Sequence, residues 1–267
     1  MSEPGSQERV EYVLDDGVAT IELVRPGGNA LDLRMGEAFE RAARTLVDDV
    51  EAGRARVAVV RARGRMFSAG GDLADIAAAP DRGEHVTAIA NLVHAGIALI
   101  RGLSIPVVSV IQGTTAGGGL GVALAGDVVI AADEAKLLFA YTAAGLTPDC
   151  GASWILPDRL SWPRVMDLAL TNRAITGREA AEWGLVSRAV PAAELDDAVA
   201  SVVDGLRAGP ANAFATTKRL MRESRDRGLV ASMKVEAVEI AAAVAGAEGS
   251  EGVDAFLAKR RPEFRRG

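Results

Sequence analysis

Apolar and polar positions alternate over residues 11–23 around Asp15-Asp16-Gly17, which predicts two short strands joined by a tight Asp-Gly hairpin. Pro26-Gly27-Gly28 breaks the pattern. Beyond it, Met35, Phe39, Ala42, Leu46 and Val50 recur at helical spacing, with Asp32 placed to cap the helix. The apolar run 57–60, bounded by arginines, fits a buried strand. Residues 64–73 read as a loop and 85–103 as a mostly apolar helix that stops before Pro106. A strand at 107–111 follows, then a glycine-rich turn at 113–119, a small-residue helix through Ala125 and a strand at 128–131. This rhythm predicts an α/β protein with a largely buried parallel sheet.

After about residue 190 no strand signal remains. Helical patterns occupy 191–206, 211–224 and 229–245, with a short final helix at 253–260. The expected organisation is an α/β core over residues 1–190 and a helical C-terminal region over 191–267, whose alanine and leucine stripes suit packing on the core or on a neighbouring subunit.

Composition narrows the field. The 267 residues are 49% hydrophobic and 25% charged, an ordinary globular balance in a chain long enough to bury a core without covalent staples. A single cysteine, Cys150, excludes an internal disulfide framework and fits a reducing compartment. Thirty basic against 36 acidic residues give a net charge of −6, the wrong sign for a nucleic-acid partner. With only two histidines, His85 and His94, no metal site is expected. The first dozen residues, MSEPGSQERVEY, lack the basic-then-apolar order of a leader. The most apolar region, 86–132, is broken by Arg101, Pro106, Gln112 and glycines before it reaches the roughly 20 residues of a spanning helix. No membrane partner and a cytoplasmic location are therefore expected.

The informative chemistry lies in two glycine loops, Phe67-Ser68-Ala69-Gly70-Gly71-Asp72-Leu73 and Gly113-Thr114-Thr115-Ala116-Gly117-Gly118-Gly119-Leu120-Gly121. Each follows a strand. One N–H from each, aimed at a common point, would form a two-donor oxyanion hole, and losing one such donor costs about 3 kcal/mol of transition-state stabilisation. Such runs also serve as tight turns or close helix–sheet packing. The second loop is neither a dinucleotide fingerprint, because Val122 occupies the last glycine position counted from Gly117, nor a P-loop, because no Lys-Ser or Lys-Thr follows.

Taken together, these loops resemble those of the crotonase (enoyl-CoA hydratase/isomerase) superfamily. The resemblance begins at Asn29-Ala30-Leu31 and includes Gly145-Leu146-Thr147-Pro148-Asp149, Thr176-Gly177-Arg178-Glu179-Ala180 and Trp183-Gly184-Leu185-Val186. It ends at Glu251-Gly252 and the FLAKRRPEF tail. It implies a ββα-superhelix core, a helical C-terminal trimerisation region and an acyl-CoA substrate, with no cofactor beyond the CoA moiety. The implied assembly is a homotrimer or dimer of trimers. By the family pattern Gly71 and Gly118 supply the oxyanion N–H groups, and Ala69 lies beside the CoA adenine. Hydration in this family uses two glutamates, and here their positions hold Gly121 and Tyr141, a phenol with a reference pKa near 10.

Asp149 remains. Pro148-Asp149-Cys150-Gly151 is type I turn chemistry and can also begin a helix. The stretch GLTPDCGASWIL, however, resembles ring-epoxide isomerases of phenylacetate degradation, where a carboxylate at this point moves the proton. Leu146, Trp154 and Ile155 are expected to cover Asp149 and raise its pKa. Asp72 is expected to cap the next short helix, and Asp75 to line the acyl pocket or face solvent. His85 and His94, nine positions apart, fall on roughly opposite helix faces, as core or surface residues rather than catalytic ones. Cys150 reads as buried packing. Arg25, Arg34 and Lys259 are either phosphate contacts for CoA or solvated surface charges. Ser68 beside the first loop leaves a hydrolase reading open, though neither histidine has an obvious path to it.

Overall fold

The computed structural model describes residues 8–264, so residues 1–7 of the polar stretch read above as carrying no leader lie outside the described residues. β1 (Val10–Asp15) and β2 (Val18–Leu23) form the expected hairpin. Its two linking residues, Asp16 and Gly17, are both left-handed at φ 40° and 78°, as the strand twist favours. α1 (Leu33–Glu51) starts where Asp32 accepts the Met35 N–H at 2.8 Å, and it buries Met35, Phe39, Ala42 and Leu46.

β3 (Val57–Ala62) is followed by β4 (Met66–Ser68), α2 (Leu73–Ala78) and α3 (Arg82–Gly102). Next come β5 (Val107–Ile111), β6 (Thr114–Ala116), α4 (Gly118–Ala123), β7 (Val128–Ala132) and β8 (Lys136–Leu138). α5 (Ala152–Arg159), α6 (Trp162–Thr171), β9 (Ile175–Thr176), α7 (Gly177–Trp183) and β10 (Arg188–Val190) complete the α/β part. The main sheet has the order β1-β2-β3-β5-β7-β10 and is parallel outside the hairpin. Its central strand β5 is buried along its whole length, which is why Val107–Ile111 reads as an unbroken apolar run.

A second, four-stranded sheet in the order β4-β6-β8-β9 differs from the sequence expectation of a loop and a turn. Each glycine loop opens with a three-residue strand, β4 or β6, and the two pair in parallel. Three residues are too few to show a period, so only the pairing reveals them. That pairing brings the two loops together.

By length and composition α3 could cross a membrane, a feature the interrupted sequence pattern did not suggest. In this fold its Ile89, Val93, Gly96, Ile97 and Ile100 are buried, and Gly96 sits where a Cβ would stand 2.6 Å from the Phe39 ring of α1.

The C-terminal helices are α8 (Leu195–Arg207), α9 (Ala211–Glu223), α10 (Leu229–Ala245) and α11 (Ala247–Leu257). The last begins six residues earlier than its sequence pattern suggests, because Gly249 and Gly252 are helical here. Arg56 fastens this region to the core through the Arg207 and Gly209 carbonyls, both at 2.9 Å, and Lys218 does so through Asp127 and the Ile105 carbonyl. Leu229, Val230, Val238 and Ile240 of α10 remain exposed, as do Phe256 and Leu257 of α11.

Asp32 also pairs with Arg9 at 2.9 Å and Arg25 at 3.3 Å. Replacing Asp32 with Ala is expected to lower stability by about 1–2 kcal/mol in urea unfolding, whereas Asp32→Asn, which keeps a cap acceptor, retains most of it.

Candidate active site

The two loops meet without side chains between them. Gly70 has φ +85°, and a Cβ there would stand 2.8 Å from the Ala116 carbonyl oxygen and 3.4 Å from the Gly117 Cα. Only glycine tolerates both the backbone sign and that approach. Ser68 is buried beneath the contact: its hydroxyl donates to the Asn29 carbonyl at 2.8 Å and accepts the Gly70 N–H at 3.1 Å. It braces the loop from below and is no exposed nucleophile.

Leu31 joins the two donor positions. Its N–H donates to the Gly70 carbonyl at 2.7 Å and its carbonyl accepts the Asp72 N–H at 3.0 Å, bracketing Gly71 and leaving the Gly71 N–H outside that bridge. Its Cδ1 lies 3.0 Å from where a Cβ on Gly118 would stand. Gly118 is the first residue of α4, where an N–H has no intrahelical acceptor. Among the hydrogen bonds of the described residues, neither N–H is donated to protein. Gly71 is exposed and Gly118 buried, so the pair spans the wall of the site from solvent inward.

Asp149 faces this wall, with Oδ1 3.5 Å from the Cβ position of Gly118. The Tyr141 hydroxyl donates to Asp149 Oδ1 at 2.7 Å and to its carbonyl at 3.2 Å. Burial, with the Asp149 charge second, pushes the Tyr141 phenol far above its usual value, so it stays protonated and a donor. The same causes raise the Cys150 thiol and keep it neutral. Cys150 is buried packing, as expected.

Gly121 explains why no carboxylate stands on α4. A Cβ there would fall 1.9 Å from the Cys150 carbonyl oxygen and 2.7 Å from its Cβ. The loop bearing Asp149 fills the space a side chain at 121 would need. The recess beside Gly121 is therefore occupied by the Cys150 backbone and is not an empty space.

Two expectations need correction. Trp154 does not cover Asp149. It is 54% exposed and lies under the guanidinium groups of Arg101 and Arg225, 4.9 and 5.1 Å from its ring centre, because α5 turns it toward another cleft. Leu146 is 48% exposed, and of the three apolar residues only Ile155 is buried. His94 is exposed, a surface position as expected, and its Nε2 accepts the Cys150 N–H at 2.9 Å. No local motif signals this contact, because it joins α3 to a loop 56 positions away.

His94, Asp149 and Cys150 offer ligand atoms within 4.8 Å of one another, the geometric minimum for a metal. Against this, the thiol is held protonated and the Nε2 lone pair already accepts an amide. His85 pairs instead with Asp75 across α2 and α3 at 2.7 Å. Asp72 caps α2 through the Ala74 and Asp75 N–H groups, both at 3.1 Å, and the Arg25 guanidinium at 2.6 Å holds its carboxyl below the usual range.

Arg25 also donates to the Ala30 carbonyl at 2.6 Å, so it ties the first loop down from within. The Ala69 N–H donates to the Gly28 carbonyl at 2.8 Å. Beside this contact runs a groove of about 560 Å³ lined by Arg25, Gly28, Arg65, Met66 and Thr114. Sequence reading did not single out Arg65. Arg34 is exposed on the first turn of α1, and Lys259 is exposed on a left-handed turn just past α11.

Gly121→Ala is expected to displace the Asp149–Cys150 loop. Any turnover at this site should fall by about tenfold or more, because a displacement of about 1 Å suffices for such losses. A variant with wild-type turnover would show that the loop position does not matter.

Comparison with known proteins bears on the family and the fold. Residues 14–267 match the enoyl-CoA hydratase/isomerase family. A "probable enoyl-CoA hydratase" of Rhodobacter capsulatus is 35% identical over 260 residues, covering 97% of this chain and 98% of that protein. The 1,2-epoxyphenylacetyl-CoA isomerase of Escherichia coli is 32% identical over 268 residues, covering 96% and 98%. Among solved structures, an enoyl-CoA hydratase from Polaromonas superposes with a TM-score of 0.86 at 28% identity, covering 96% of this chain and 99% of that one.

Proposed function

The chain belongs to the enoyl-CoA hydratase/isomerase family, and from that premise we propose that it isomerises a CoA thioester, with Asp149 as the acid–base group. The mixed α/β fold with its helical C-terminal region is the crotonase fold, and the family makes this an acyl-CoA-processing enzyme. The finer reading concerns which proton moves and what moves it.

A thioester carbonyl between the Gly71 and Gly118 N–H groups would be polarised toward its enolate, the charge distribution that two fixed donors stabilise best. One carboxylate then suffices to take a proton at one end of the conjugated system and return it at the other. The carboxylate proposed for both transfers is that of Asp149, and the protonated Tyr141 orients it by donating to Oδ1, the oxygen nearest Gly118. The observation that carries the reading is the Asp149 Oδ1 only 3.5 Å from the Cβ position of Gly118, next to an N–H with no protein acceptor. The relative named 1,2-epoxyphenylacetyl-CoA isomerase supports a ring or double-bond isomerisation.

The relative named an enoyl-CoA hydratase keeps addition of water as the second reading. The specific observation in its favour is His94, which with Asp149 makes a pair of titratable groups on one side of the site.

For the CoA moiety, the groove beside Gly28 and Ala69 offers Arg25 and Arg65, and Lys259 is the C-terminal candidate for a phosphate. We propose a homotrimer or dimer of trimers. The exposed apolar faces of α10 and α11, including Phe256 at 82% exposure, support burial between subunits.

The test is to incubate the protein separately with a 2-enoyl-CoA and a 3-enoyl-CoA in deuterated water and follow product mass. Double-bond migration with deuterium uptake and no added water, lowered at least about a hundredfold by Asp149→Asn, is the expected result. A product heavier by one water would establish the hydratase reading. Full turnover by Asp149→Asn would remove Asp149 from the chemistry.

A further inference from the structure

The geometry points to His94 as the residue that positions the Asp149 carboxylate, by holding the far side of the Asp149–Cys150 peptide. This rests on the reading of Asp149 as the proton carrier.

That peptide is held on both sides. On its carbonyl side the Asp149 oxygen accepts the Ala152 N–H at 2.9 Å, and the Tyr141 hydroxyl that donates to Oδ1 lies 3.2 Å from it. On its amide side the Cys150 N–H donates to His94 Nε2 at 2.9 Å. No other acceptor for that amide is found among the described residues. Cys150 is buried and His94 exposed, so the imidazole is the protein acceptor that fixes this N–H in direction, which a water in its place would not do.

The conformation needs such a hold. Cys150 has φ +49° and Gly151 φ +76°, and left-handed backbone at a residue with a Cβ is disfavoured. Strained residues of this kind persist when their surroundings over-determine them. Here the left-handed turn sends the Cys150 carbonyl into the space beside Gly121 and leaves the Asp149 carboxylate beside Gly118. If the amide is released, the turn can relax and the carboxylate leaves the donor wall. His94 reaches the loop from α3, an element anchored independently by its buried face on α1. It therefore serves as an external reference for a loop that cannot fix itself.

Accepting through Nε2 also defines the imidazole: it is neutral, with its proton on Nδ1. The role asks for a lone pair at one place and for no proton transfer. Glutamine, whose amide oxygen reaches about as far along the side chain, should replace it.

The first measurement is the ¹⁵N NMR spectrum of the histidine rings in the unmodified protein. The His94 ring is expected as the neutral Nδ1–H form, and a proton on Nε2 would overturn the proposal. The second uses 3-hexenoyl-CoA and its exchange with deuterated water. His94→Ala is expected to lower kcat by about tenfold or more with KM within about twofold, the size of one lost buried hydrogen bond. His94→Gln should recover most of the loss, with the thermal unfolding midpoint of each variant confirming the fold. Wild-type kcat in His94→Ala would overturn the proposal, as would a His94→Gln protein no faster than the alanine variant. Asp149→Asn in the same assay separates the two layers. If it turns over normally, the reading of the site fails. If it is inactive while His94→Ala is not slowed, only the positioning role falls.

Discussion

Two pieces of backbone meet at Gly70 and Gly117 at a separation that leaves no room for a side chain, and the site is organised around that contact. The short strands leading into the loops pair in parallel and bring them there. Ser68 and Leu31 then set the loop orientation, one from beneath and one along the edge. The result is a pair of N–H groups whose positions are set by main-chain geometry. Preorganised donors of this kind need no rearrangement as negative charge develops, and that makes them effective in a partly dry site. The ion pair of Arg25 with Asp72 adds an electrostatic tie at the solvent-exposed end, where packing alone is thin.

The second half of the site follows a different logic. The donor wall is built from backbone, whereas the Asp149 carboxylate hangs on a loop in a conformation the chain does not favour on its own. Tyr141, Ala152 and His94 supply the hydrogen bonds, and the Gly121 recess supplies the shape. The protein thus combines a rigid binding element with a carboxylate whose placement depends on several distant parts of the fold.

Much of this was legible in the chain and some was not, for reasons that can be named. Asp32 announces α1 because capping is a local interaction between residues three apart. The Asp16-Gly17 hairpin, the buried run of β5 and the whole of α10 follow from local pattern in the same way. The small sheet was hidden, since β4, β6 and β8 have three residues each and exist only through one another. Arg25 suggested a phosphate contact, and its partner Asp72, 47 positions away, was visible only in space. By resemblance the sequence singled out Gly121 and Tyr141 against a two-glutamate pattern. It could not show that Cys150 occupies the recess at 121, or that the phenol points at Asp149.

The interlock of Gly121 with the Cys150 carbonyl bears on how such a site can evolve. A lineage that returned a carboxylate to α4 at this position would first have to clear the loop from the recess. A lineage that moved the loop first would disturb the aspartate before anything replaced it. Position 121 and the loop that carries Asp149 are therefore coupled by exclusion: neither can change its shape without the other giving way.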